Sequence, residues 1–265
     1  MSTQIHRPQP AEAAPPLLWE RALPVARDRR EVLRPQQVAQ AAFELAETDG
    51  LAATSVKRVA IRLGVPATRL EQYLPSREDL LDLMLDIVLG EVALPEPGAT
   101  VHWRAQLHGI AVATHRVASQ HPWLVELIGG RPPTGPNGLR YIEAGLAALS
   151  DTGLAIADIA RCVNAIQAFV CGSVQIHATR GAIGQQGSNA RYLKDAVAGP
   201  DYPQLAALFS DAEDLTTDNS FEQGLDCLLD GIALRVGAVQ IEIAQIAAAP
   251  VEADQSDRAA AGVVV

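Results

Sequence analysis

Residues 51–77 read LAATSVKRVAIRLGVPATRLEQYLPSR, and the punctuation in this stretch decides the fold. Thr54 or Ser55 offers an N-cap oxygen. Val56, Val59, Ala60 and Leu63 then recur at helical spacing, and Gly64 follows at once, where a left-handed residue would turn the chain. Pro66 suits the first position of a further short helix running to about Leu74, with Leu70 and Tyr73 facing inward, and Pro75 breaks it. Upstream, 31–49 carries Pro35 in a first turn, an apolar stripe (Val38, Ala41, Ala42, Leu45) and a stop at Gly50. Downstream, Ser76 caps a fourth helix, with Glu78 and Asp79 in its first turn, expected to reach about Val92. Three short helices with a glycine turn between the second and third form a helix-turn-helix plan. The second helix must end sharply so that the third can leave steeply enough to enter a major groove.

Charge follows the same division. The net charge of −10 taken alone argues against a nucleic-acid partner. Its distribution does not. Residues 1–50 hold six basic and seven acidic side chains, and 78–265 hold ten and 23. Between them, Lys57, Arg58, Arg62, Arg69 and Arg77 face only Glu71, a local net charge of +4. Phosphate binding needs a local patch rather than a basic protein, and the acidic remainder would turn other faces away from DNA.

The rest of the chain reads as helix and connection. Residues 1–30 are rich in Pro, Ala, Arg and Gln without an apolar period and are expected to be a disordered arm. The helix-turn-helix unit then spans 31–92, and Leu94-Pro95-Glu96-Pro97-Gly98 is a linker. Helices are expected over 101–120, 123–128, 137–149, 154–180, near 190–197, near 203–209 and over 219–247, with loops at 129–136 and 181–189. Residues 99–247 make a helical ligand-binding and dimerisation domain, and 248–265 a flexible tail. The fold class is all-α. The two longest helices carry more apolar surface than one bundle face can bury. This predicts a homodimer seam through Ile156, Ile159, Val163, Ile166 and Val170 with Leu225, Leu228, Leu229 and Ile232, and close approach at Gly172 and Gly224.

Several function classes are excluded or disfavoured. There is no Gly-rich phosphate loop, no Gly-x-Ser-x-Gly elbow and no zinc motif, so no enzyme is expected. His102, His108, His115 and His121 recur every six or seven residues, but no carboxylate or cysteine completes a helical ligand pair, so neither metal nor cofactor is expected. Cys162, Cys171 and Cys227 show no redox spacing and read as free thiols. No apolar leader and no run of 18 apolar residues appears, which predicts a cytoplasmic chain without a membrane span.

By residue 90 the pattern is recognisable. Ala41-Ala42, Leu45-Ala46, Gly50-Leu51, Ser55-Val56-Lys57-Arg58-Val59-Ala60, Leu63-Gly64-Val65, Leu70, Tyr73, Ser76-Arg77 and Leu80-Leu81 together resemble the DNA-binding domain of the tetracycline-repressor (TetR) family over about 34–90. Leu81–Asp86, His121-Pro122-Trp123, Gly135-Pro136-Asn137, Phe221–Leu225 and Leu18-Trp19-Glu20 extend the resemblance to the branch with a tetracycline-repressor-like C-terminal part. The resemblance implies a homodimer through the last two long helices, a ligand cavity in the bundle, and release from a palindromic operator on ligand binding. One position departs: Glu71 stands where the family usually has a tyrosine that touches a phosphate. A like-charge contact there at about 4 Å would cost up to about 4 kcal/mol, unless Glu71 turns to Arg69 or Arg77.

On this framework Lys57 and Arg58 at the start of the second helix, and Ala67, Thr68 and Arg69 at the start of the third, are expected at the operator, with Tyr73 and Arg77 on phosphates. Arg69 could address guanine through its planar fork. Polar groups that interrupt apolar helices mark the ligand site: His115, Arg116, Asn137, Tyr141, Asn164 and Gln167, with Trp123 and Phe169 as walls. Asn164, Gln167 and Cys171 share one helix face, which either lines a cavity or zips a dimer. The expected function is a ligand-responsive repressor acting on double-stranded operator DNA and released by a small hydrophobic effector. The alternatives are a helical regulator with weakened DNA binding or lost ligand response, acting through protein contacts, and a small-molecule-binding protein with a vestigial DNA domain.

Overall fold

The computed structural model describes residues 18–20, 33–96, 98, 101–183, 196–197, 201–210 and 220–248. They form ten α-helices and no strand: α1 (Pro35–Asp49), α2 (Val56–Leu63), α3 (Ala67–Tyr73), α4 (Arg77–Leu89), α5 (Trp103–Gln120), α6 (Leu124–Gly130), α7 (Pro136–Ala148), α8 (Ile156–Ile183), α9 (Pro203–Ser210) and α10 (Ser220–Ala248).

Local signals act as their chemistry requires. The Ser55 hydroxyl accepts from the Arg58 N–H at the start of α2. Gly64 ends it in the left-handed region (φ 68°, ψ 27°), and the Val65 N–H reaches back 3.0 Å to the Ala60 carbonyl. Pro66 is the N-cap of α3 rather than its first helical residue. At α4, Ser76 and Asp79 cap each other's backbone N–H groups reciprocally, which fixes the chain's entry into the fourth helix.

Two cores result. The first gathers α1, α2, α3, α4 and α6 with the second half of α5, and includes Phe43, Leu70, Leu83, Met84, Leu85, Trp123 and Leu124. The second joins the first half of α5 to the end of α7, α8 and α10 through Leu107, Leu149, Ile159, Ile166, Leu225 and Leu229. Helix α5 contributes to both.

Several expectations change. Leu18–Glu20, within the stretch read as a disordered arm, is a 3-10 turn whose Leu18 is buried against the first core, beside α4. The rest of that arm lies outside the described residues. So do the tail after 248, most of the helix expected near 190–197, and the loop expected at 181–189 beyond Ile183, to which α8 extends. The residues expected to form the dimer seam largely belong to the chain's own second core: Ile159, Ile166, Val170, Leu225, Leu229 and Ile232 are all buried. Gly224 is covered by Phe169, whereas Gly172 is open. The apolar surplus lies on the opposite stripe, with Leu234 77% and Ile241 61% exposed, alongside Ile156 and Ile243. One stretch, Ile156–His177 of α8, is long and apolar enough by length and composition to cross a membrane, although no apolar run was expected to be. Its inner face is part of the second core.

Gly135, just before α7, sits where a Cβ would overlap the Asp86 carboxylate and the Trp19 ring. Overpacking a filled site costs about 1–3 kcal/mol. Gly135→Ala is therefore expected to lower the urea midpoint. Gly109→Ala, at an open position in α5, is expected to raise it, because alanine in a helix interior is favoured by about 0.5–1 kcal/mol. Urea titrations followed by circular dichroism measure both.

Candidate functional site

The basic residues of 51–77 lie on α2, on α3 and at the start of α4, and most of their charge is engaged within the protein. Lys57 is exposed at the first turn of α2. Arg58 pairs with Asp49 and donates to the Ala53 carbonyl at 3.2 Å, and Arg62 pairs with Glu44 at 2.7 Å. Both pairs are about two-fifths exposed. Exposed pairs of this kind are worth little, so either arginine can exchange its partner for a phosphate. On α3, Thr68 is exposed, Ala67 and Arg69 are half-buried, and Leu70 anchors the helix in the core. Tyr73 is half-buried, and burial pushes its phenol up from its usual range.

Arg77 departs from expectation. Its Nε donates to the Thr54 carbonyl at 3.1 Å and its Nη2 to the Leu51 carbonyl at 2.8 Å. The guanidinium therefore stitches the first turn of α4 to the connection ahead of α2, instead of presenting its donors outward to a phosphate. It also turns to those carbonyls rather than to Glu71. The physical reason is local: the 3-10 turn Leu51–Ala53 leaves carbonyls at its end without helical partners, and a planar cation satisfies two of them.

A second constellation lies inside the bundle. On α5, the Thr114 hydroxyl is fully buried, 2.7 Å from the Ile110 carbonyl oxygen and 3.2 Å from the Tyr141 hydroxyl of α7. Burial pushes the Tyr141 phenol up, and so does the neighbouring Cys171 of α8. Next along α5, the His115 ring stacks on Phe221 of α10 at 3.9 Å with 21° between planes, and meets His177 of α8 edge-on at 6.3 Å. Phe221 in turn stacks on Phe169 at 5.5 Å. The His115 Nε2 is buried and finds no hydrogen-bond partner among the described residues. Burial, and His177 beside it, hold the His115 imidazolium below its ordinary range.

The structure thus brings His115, Tyr141 and Phe169 to neighbouring positions and adds Thr114, Cys171, His177 and Phe221. It disperses the remaining expected ligand residues. Arg116 and Asn164 are exposed, and Gln167 is half-buried. Trp123 packs on Phe43 at 4.9 Å in the first core, with its indole N–H unpaired. Asn137 is engaged with Asp86 of α4. A separate cleft of about 1040 Å³ lies between the start of α5, the end of α7 and α10, lined by Trp103, Gln106, Glu143 and Gly237 among others. It holds none of the expected ligand residues and no orphaned buried polar atom, so the aromatic ladder is the stronger candidate for a ligand.

Among the described residues no cluster of His, Cys, Asp and Glu is arranged to hold a metal ion. The missed residues are missed for a common reason: Phe221 reaches His115 only through the packing of α10 on α5, which no local period encodes.

Comparison with known proteins adds independent findings. Residues 94–236 match the family described as tetracyclin repressor-like, C-terminal domain. An HTH-type transcriptional regulator of Saccharopolyspora erythraea is 34% identical over 231 residues, covering 86% of this chain and 95% of that protein. The HTH-type transcriptional repressor DrrR1 of Streptomyces coeruleorubidus is 30% identical, covering 83% and 84%. Among solved structures, ActR of Streptomyces coelicolor in complex with actinorhodin superposes with a TM-score of 0.64 at 27% identity, covering 77% of this chain and 99% of that one.

The depressed His115 basicity has a consequence for stability. A histidine whose folded pKa lies below its unfolded value of about 6.5 binds fewer protons in the native state. Its contribution is complete above that value and is lost as pH falls through the lower folded pKa. Wild type is expected to lose stability between about pH 7 and pH 5 more steeply than His115→Phe. Denaturant titrations across that range measure the difference, and parallel curves would contradict it.

Proposed function

This chain belongs to the TetR family of transcriptional regulators, and from that premise we propose that it binds a palindromic operator as a homodimer and releases it when a small hydrophobic effector enters the bundle. Its relatives are transcriptional regulators and repressors, not enzymes. In this reading residues 31–92 read DNA, and 99–247 sense the effector and dimerise.

The observation that carries the effector reading is the buried, unpartnered His115 Nε2 at the end of an aromatic ladder. A buried polar atom without a partner is costly, and a ligand that supplies one recovers that cost. Stacked rings beside it suit a flat, largely apolar molecule with one hydrogen-bonding edge. That ActR has been solved with actinorhodin is in keeping with such an effector.

The dimer reading rests on the outward stripe of α10. Cys227, Gly231, Leu234, Ala238 and Ile241 follow one another at intervals of four and three residues, and all are exposed in the single chain. The exposed side of α8, with Ala157, Asn164 and Ala168, offers small and amide side chains at the same spacing. Two such faces from each of two copies would pack as a four-helix seam. Asn164 then belongs to the seam rather than to the cavity.

On the DNA side, Arg69 in the first turn of α3 is the base reader, and Thr68 and Lys57 flank it. Selection of bound sequences from a random duplex library, followed by titration at several salt concentrations, tests this. A palindrome is expected. Arg69→Ala should flatten preference at one base step per half-site, a loss of about 1–3 kcal/mol in discrimination. Glu71→Tyr should tighten binding to selected and random duplexes alike, since a phosphate contact carries no sequence information. If no sequence is enriched, the operator reading fails.

A further inference from the structure

We propose that Arg131 is the residue that positions the DNA-reading helices relative to the effector bundle, by locking the turn between α6 and α7 onto one face of α4. The inference rests on the regulator reading above and concerns how its two halves are held in register.

Arg131 ends α6, its own N–H donating to the Leu127 carbonyl at 3.1 Å. Its side chain is only 16% exposed. The guanidinium forks over α4: Nη1 donates to the Asp82 carboxylate and, at 3.2 Å, to the Glu78 carbonyl, while Nη2 donates to the Glu78 carboxylate. These carboxylates hold the already strong base still higher in its range. Glu78 and Asp82 are one turn apart, and the next residue on that stripe is Asp86, 3% exposed. The Asp86 carboxylate accepts from the N–H of Asn137 at 2.8 Å, from the N–H of Gly138 at 2.9 Å and from the Asn137 side-chain amide at 3.0 Å. Three acids at positions i, i+4 and i+8 of α4 therefore grip both ends of 131–138.

The stripe continues into the DNA-reading half. Arg77, adjacent to Glu78, binds the carbonyls of Leu51 and Thr54 ahead of α2. At the other end, Asn137 lies one turn from Tyr141 on α7, whose hydroxyl meets Thr114 beside His115. A continuous set of hydrogen bonds thus runs from the effector ladder through the start of α7 and along α4 to α2. Trp19 lies over its centre, against Gly135 and Asp86.

Arg131 is the component of this set suited to positioning. Its planar fork engages two carboxylates and a carbonyl at once, which a lysine ammonium cannot reproduce in the same geometry. Without it, α4 remains capped by Ser76 and keeps Glu78 and Asp79 at a favourable helix N-terminus. Loss of Arg131 is therefore expected to release the register between the halves rather than to unfold α4.

Hydrogen–deuterium exchange on the full chain, comparing wild type, Arg131→Gln and Arg131→Lys, tests this. Arg131→Gln is expected to raise exchange about tenfold in 56–73, on α2 and α3, as well as in 131–138, while leaving 225–236 of α10 unchanged. Arg131→Lys should fall between. Should Arg131→Gln not fold, Asp82→Asn removes one arm of the fork and is expected to change the same segments less. Faster exchange confined to 131–138 would reduce Arg131 to a local staple and overturn the proposal. With the selected duplex, Arg131→Gln should lose about tenfold in affinity with little change on random duplex. Equal losses on both would mean that only a charge had been removed, and would also overturn it. Failure to select any sequence bears on the operator reading alone, and the exchange result stands without it.

Discussion

Helix α4 has almost no face to give to water, and the rest of the structure depends on this. Leu80, Leu81, Leu83, Met84, Leu85, Val88 and Leu89 are all buried, together with Asp79 and Asp86. An apolar face turned to α1 and another to α6 and α7 leave no position for an uncompensated charge. Asp79 is accommodated by Ser76, and Asp86 by three donors at the start of α7, where the helix dipole also favours a carboxylate. These two acids can be buried only while α4 stays in place between its neighbours. The DNA-reading helices are consequently one side of a continuous core, not a module on a tether.

The two working surfaces sit on opposite sides of this shared helix. On one side, α2 and α3 carry a small positive island in an acidic chain, much of it held in exposed ion pairs that phosphates can replace. On the other, α5, α7, α8 and α10 enclose the stacked rings of His115, Phe221 and Phe169 and the hydroxyl pair of Thr114 and Tyr141. The first surface is built for an anionic polymer and the second for a flat, mostly apolar molecule. What happens at one is felt at the other because packed cores have few alternative arrangements.

The parts of this design legible in the sequence were those set by neighbours in the chain. Ser55, Gly64 and Ser76 placed the helix ends within a residue or two, and the family resemblance rested on the same positions. The contents of the cavity were legible only in part. His115, Tyr141 and Phe169 stood out as polar or aromatic breaks in apolar helices, whereas Phe221 and His177 depend on how α8 and α10 pack across α5. The inward face of α8 and α10 was misread because helices apolar nearly all round have no period to reveal it. Ile159 and Leu229 went to the core, and Leu234 and Ile241 were left outside. Arg77 was misread for a different reason: a basic residue at a helix start looks the same in sequence whether it meets a phosphate or two carbonyls of a preceding turn.

Calorimetric unfolding of the full chain, alone and with saturating operator duplex, tests most directly whether the reading and sensing halves form one cooperative body. A duplex that binds only the native state, present at 100 times its Kd, should stabilise that state by about 2.7 kcal/mol. If α4 makes the two halves inseparable, a single transition appears in both scans and moves upward as a whole, with calorimetric and van't Hoff enthalpies in agreement. Two transitions, of which the duplex moves only one, would show that the DNA-reading helices unfold apart from the bundle, and would contradict the account.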